Sequence, residues 1–152
     1  MQLSKTEKWT LIIISILLCL GLILLAGGPI FSDEFLYLDL GLRNVIEPSY
    51  GNRYFHVYLQ KLFVSILPTP LLGVRVFWSL LIAISTALVY FNARTITKDS
   101  SIIHGLLGVA FFFAFPLIKE YSGEPAVDIT AMTMTVIYLS VYLWGVKNPK
   151  KL

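Results

Sequence analysis

Four apolar runs divide the chain: Thr10 to Ala26, Leu72 to Phe91, Ile102 to Ile118 and Ala126 to Val146. Each approaches the roughly 20 apolar residues a helix needs to cross a bilayer, so the pattern predicts four transmembrane helices. Gly27-Gly28-Pro29 is a helix-stopping sequence after the first run. Pro116 lies near the end of the third, and Pro125 is placed as the first helical residue of the fourth. The segment 27–71 between the first two runs is too polar to span but keeps helical spacing. Ser32 is a good N-cap, and Phe35, Leu38, Leu42 and Val45 follow on one face. Past the turn-like Glu47-Pro48-Ser49-Tyr50-Gly51-Asn52, a second stretch puts Tyr54, Tyr58, Leu62 and Ile66 on one face. Arg53, His56 and Gln60 fall on another. Two short helices lying in the membrane interface fit this alternation. The expectation is an all-α polytopic membrane protein: one membrane unit of four transmembrane helices, with two interfacial helices in a long first external loop.

Composition agrees. The chain is 57% hydrophobic and 14% charged, against roughly 25% charged in soluble domains. Its net charge of +3 is spread over several loops, which suits topology-setting charges and excludes a nucleic-acid patch. Cys19 stands alone inside an apolar run, so it is a packing residue, with no disulfide framework to join. The first run has an apolar core longer than a signal peptide's and no A-x-A pattern before its glycines. It is expected to stay as an uncleaved anchor.

Orientation follows from the basic residues near the span ends. Lys5, Lys8, Arg94, Lys98, Lys147, Lys150 and Lys151 crowd one side; Arg43, Arg53, Lys61, Arg75 and Lys119 are spread thinly over the other. Both termini are therefore expected in the cytoplasm, with Trp9 and Trp144 anchoring the same boundary. Short loops lean towards a bacterial or archaeal cell membrane. On this topology seven of the nine acids lie outside: Asp33, Glu34, Asp39, Glu47, Glu120, Glu124 and Asp128. Capping and helix-dipole effects alone explain Asp33, Glu34 and Glu124. Asp128 sits a turn into an apolar segment, where a charge is costly and usually has a partner or a function. The same topology holds Asp33, Glu124 and Asp128 at similar depth.

The order of these features resembles the start of a GT-C superfamily membrane glycosyltransferase. The nearest likeness is to the dolichyl-phosphate-mannose–protein mannosyltransferase and aminoarabinose transferase group. Ser32-Asp33-Glu34 is similar to the family's acidic triplet after the first span, and Leu72-Gly73-Val74-Arg75-Val76 is similar to its Gly…Arg opening of the second, with shorter spacing. A further family acid lies where Glu124 and Asp128 stand. The likeness covers roughly residues 10–146. The family's Pro-Pro-Leu-like stretch is replaced here by His56-Val57-Tyr58-Leu59.

The resemblance implies transfer of a sugar from a polyprenyl-phosphate carrier in the membrane lipid to an acceptor at the outer face. Asp33, with Glu34 and Asp128, is the implied catalytic set, Asp33 taking the acceptor hydroxyl's proton. Arg53, His56, Arg75 and Lys119 are the implied cations for the departing phosphate. Some relatives use a divalent cation such as Mg or Mn, for which Asp33, Glu124 and Asp128 could supply oxygen ligands. Family members continue through many further spans, so missing C-terminal spans or an additional membrane chain are expected to complete the enzyme.

The competing expectations are plainer. The chain is a non-enzymatic membrane subunit or assembly module that keeps this shape. Arg75 snorkels at a helix end, His56 lies on a solvated face, and Thr130, Thr133 and Ser140 pack helices. His104 is structural. A small transporter is set aside because no span carries paired buried charges.

Overall fold

In a computed structural model, the described residues are 5–25, 39, 54–97, 102–114 and 127–148, and they form an all-helical structure. Five helices follow in chain order: α1 (Lys5–Leu25), α2 (Tyr54–Ile66), α3 (Pro70–Thr97), α4 (Ile102–Ala114) and α5 (Val127–Lys147). Two of them, Pro70–Thr97 and the Ile129–Lys147 stretch of α5, are long and apolar enough to cross a membrane. The 13 described residues of α4 rise about 20 Å, short of a bilayer's hydrocarbon core. The remainder of the third expected span, 115–118, lies outside the described residues, as does the expected interfacial helix beginning at Asp33.

Local sequence explains the boundary between α2 and α3. Leu67 precedes Pro68, whose ring disfavours helical backbone in the residue before it, and α2 ends at Ile66. Thr69 then caps α3: its Oγ1 accepts the Leu72 N–H at 3.2 Å, and its carbonyl accepts the Gly73 N–H at 3.0 Å. Pro70 fills the first helical position, where a missing N–H costs nothing. The chain reverses within three residues, and α2 folds back along α3. Gly73 makes that approach possible. A Cβ there would stand 2.6 Å from the Val64 Cα, so any side chain would push the hairpin apart.

The 28-residue α3 is the centre of the molecule. It packs against each of the other four helices, and those helices touch one another only marginally. Phe77, Trp78, Leu81 and Ile82 of α3 join Ile129 of α5 in the buried core, with Leu18, Leu59, Phe63, Phe113 and Met132 against its edges. The pairings fix helix directions. Ser85 Oγ donates to Thr133 Oγ1 at 2.9 Å, and Ile129 meets the Phe77 region, so α3 and α5 run parallel. Arg94 meets Glu7, while Leu18 meets the core around Phe77, so α1 runs antiparallel to α3. On α4, Gly105 lies against the Tyr90 ring and Phe113 reaches the core, another antiparallel pair. Alternating directions of this kind are what a serpentine chain of spans requires.

Two expectations from the sequence are corrected here. The polar stripe of α2 faces inwards: His56 is 5% exposed and Gln60 1%, while Tyr58, Leu62 and Ile66 point away from the protein. Arg94 is no surface charge. Its side chain is 3% exposed and pairs with Glu7, a buried charged pair between α3 and α1.

Candidate functional site

One end of the bundle gathers the candidate residues that fall within the described chain. The turn from α2 into α3 lies there, and α5 begins there, with Ile129 and Thr130 against Phe77 and His56. His56, in the first turn of α2, reaches across to α5, where its Nδ1 lies 2.7 Å from Thr130 Oγ1. Its ring packs on Phe77, with centroids 5.5 Å apart, and Phe77 also meets Phe63 at 5.4 Å. Imidazole and hydroxyl satisfy one another inside an apolar shell, as buried polar groups must. Thr133, one turn along α5, donates to the Ile129 carbonyl at 2.7 Å and accepts from Ser85. Thr130 and Thr133 thus pack helices as the sequence predicts, and Ser140 donates to the Val136 carbonyl of its own helix.

Asp128 lies in the first turn of α5, two residues before Thr130, which places its backbone at this same end. Its side chain is outside the described residues, as are Asp33, Glu34, Arg53, Lys119 and Glu124. Arg75 is half-buried near the start of α3, nearly two turns after the capping Thr69. Of the implied phosphate-binding cations, His56 is therefore already engaged with Thr130 and Phe77. Among the described residues no three His, Cys, Asp or Glu side chains come together as metal ligands, and Asp33, Glu124 and the Asp128 carboxylate lie outside that search.

Sequence reasoning passed over Gln60. It is buried to 1% exposure one turn beyond His56, and neither its Oε1 nor its Nε2 finds a partner among the described residues. A buried primary amide with two donors and an acceptor unused is destabilising by a few kcal/mol unless something engages it. The available signal was the polar residue at i+4 from His56, which looks solvent-facing until the outside of the helix is taken to be lipid.

The opposite end of the bundle is built differently. Arg94 pairs with Glu7, donates to the Tyr90 hydroxyl at 3.4 Å, and lies 5.7 Å from the Tyr90 ring centre. Beside it a cleft of about 80 Å³ opens between α1, α3 and α4, lined chiefly by Leu11, Ile14, Tyr90, Ile102 and Leu106. Comparison with protein-family models, curated proteins and solved structures finds no match for the chain.

Proposed function

We propose that the chain is a multi-pass membrane unit, both termini cytoplasmic, forming the N-terminal part of a glycosyltransferase that uses a polyprenyl-phosphate-linked sugar. The observation that carries the proposal is the 2.7 Å contact between His56 and Thr130. The acceptor chemistry needs residues after the first apolar helix to meet residues at the start of the last one. His56 belongs to the segment that follows Asp33 and Glu34, and Thr130 lies within a turn of Asp128. Helix directions support the same placement, because the parallel run of α3 and α5 puts the starts of those two helices towards one end, where His56 of α2 meets Thr130, and the Arg94–Glu7 pair at the far end.

In this reading Asp33 accepts the proton of the acceptor hydroxyl as the oxygen attacks the anomeric carbon and the carrier phosphate departs. Arg75 faces the growing charge on that phosphate. His56 acts as a positioning residue that fixes the start of α5.

The test is Asp33→Asn in the complete enzyme or assembled complex, with transfer from a polyprenyl-phosphate sugar as the readout. Loss of a general base is expected to slow transfer by about 10² to 10⁴ while membrane insertion is unchanged. Wild-type transfer would overturn the catalytic reading and leave a catalytically silent membrane module. Thiol labelling of Asp33→Cys tests placement separately. Reaction only with reagents on the cytosolic side would overturn the topology.

A further inference from the structure

The seam between α3 and α5 repeats along its length. Leu81 and Ile129 share the buried core, and four residues further along each helix Ser85 Oγ donates to Thr133 Oγ1 at 2.9 Å. Seven more residues are almost two whole turns, so Asn92 follows Ser85 on one face of α3, and Ser140 follows Thr133 on one face of α5. The helices run parallel, and equal steps of about 10 Å along each bring Asn92 and Ser140 to the same level.

This second polar pair is complementary but unmade. Asn92 is 6% exposed, and its Nδ2 has no hydrogen-bond partner among the described residues. A buried amide donor left unused is destabilising. Ser140 Oγ gives its one proton to the Val136 carbonyl at 2.8 Å, which leaves its lone pairs open to a donor. Burial on the inner line of α5 falls in the same direction. Ile129, Thr130 and Thr133 are buried, whereas Val136, Ile137 and Ser140 are half-buried. α5 is thus gripped at its start, where Thr130 meets His56 and Thr133 meets Ser85, and held less closely beyond.

We propose that α5 has a second position, in which its far half closes on α3 and Asn92 Nδ2 donates to Ser140 Oγ. The start of α5 is the pivot, because its bonds to His56 and Ser85 are already made. The latch is one neutral hydrogen bond, and such bonds between membrane helices shift an equilibrium by about threefold to tenfold. A difference of that size leaves both positions populated, which is what a reversible latch requires. The proposal needs only the packing of α3 against α5 and is independent of glycosyl transfer.

The experiment uses the full chain, in a Cys19→Ala background that removes the single native cysteine. Thr95→Cys with Leu143→Cys places a thiol pair three residues beyond the latch on each helix, and the rate of intramolecular disulfide formation reports closure. Thr95→Cys with Leu139→Cys, whose second position is exposed and off the seam, is the control. The seam pair is expected to form its disulfide and the control pair not to. Asn92→Leu is expected to slow the seam pair about threefold to tenfold, Ser140→Ala to do the same, and the two together to slow it no further. Ser140→Thr, which keeps the acceptor, is expected to leave the rate unchanged. Should Asn92→Leu fail to fold, the contrast between Ser140→Ala and Ser140→Thr decides. No disulfide at the seam pair, an equal rate at the control pair, a rate indifferent to Ser140→Ala, or effects of the two substitutions that multiply would each overturn the latch.

Discussion

The two ends of the bundle hold their helices by opposite means. At one, a full ion pair joins Glu7 to Arg94 and an aromatic ring backs it. Towards the other, neutral groups do the work: His56 with Thr130, Gln60 with its amide unused and, at the middle of α3, Ser85 with Thr133. An ion pair in a low-dielectric setting is rigid, and breaking either partner strands the other. Neutral hydrogen bonds are weaker and exchange partners more readily. The end that is strongly tied suits an anchor, and the end with spare hydrogen-bonding capacity suits a site that receives a substrate.

The largest expected effect follows from the anchored end. Arg94→Leu takes the guanidinium from the Glu7 carboxylate, and thermal unfolding in detergent is expected to show a loss of up to about 3–5 kcal/mol. Exchanging the two charges, Glu7→Arg with Arg94→Glu, is expected to recover a large part of it; no recovery would mean the pair's attraction matters little. Next comes the α2–α3 hairpin. Gly73→Val drives a branched side chain into the Val64 backbone, an overpacking worth about 1–3 kcal/mol. Gly21→Ala on α1 is the control, because nothing lies within 4 Å of its added carbon. If both substitutions cost the same, close packing at Gly73 is not what sets the hairpin.

Smaller effects separate the two ends more finely. Thr133→Val removes the Ser85 bond and is expected to cost about 0.6–1.7 kcal/mol, the range of interhelical hydrogen bonds in membranes. Least in stability is Gln60→Leu. Replacing an unsatisfied amide by an apolar group of similar size is expected to be neutral or stabilising in the unfolding measurement. If that end receives substrate, the same variant loses transfer activity while its stability holds. A marked loss of stability would mean that Gln60 is engaged within the fold.

Much of the helix pattern was legible in the chain. Apolar runs located α1, α3, α4 and α5 because length and greasiness are local properties. The second run was expected to begin at Leu72, and α3 starts two residues earlier, at Pro70. The pairing of Glu7 with Arg94 was not legible, since 87 positions separate them and each looks like an ordinary flanking charge. Nor was the direction in which α2 turns its polar stripe. Amphipathic spacing identifies two faces but not which one is inside, and the rule that polar residues face outwards holds only where the surroundings are water. Here His56 and Gln60 face inwards, and Tyr58, Leu62 and Ile66 face away from the protein. Of the candidate site, the sequence marked the end of the bundle at which His56, Arg75 and Asp128 lie, and it read Gln60 only as part of a polar face.

Dependence on a single central helix has a consequence for synthesis. α1 and α2 leave the ribosome before α3, and each finds its main packing partner only when Pro70–Thr97 arrives. Until then Glu7 lacks Arg94, its partner across the bundle. Chains stopped at residue 68 are expected to be cleared far faster than chains stopped at residue 100, a difference that pulse-labelling would register within one generation of cells.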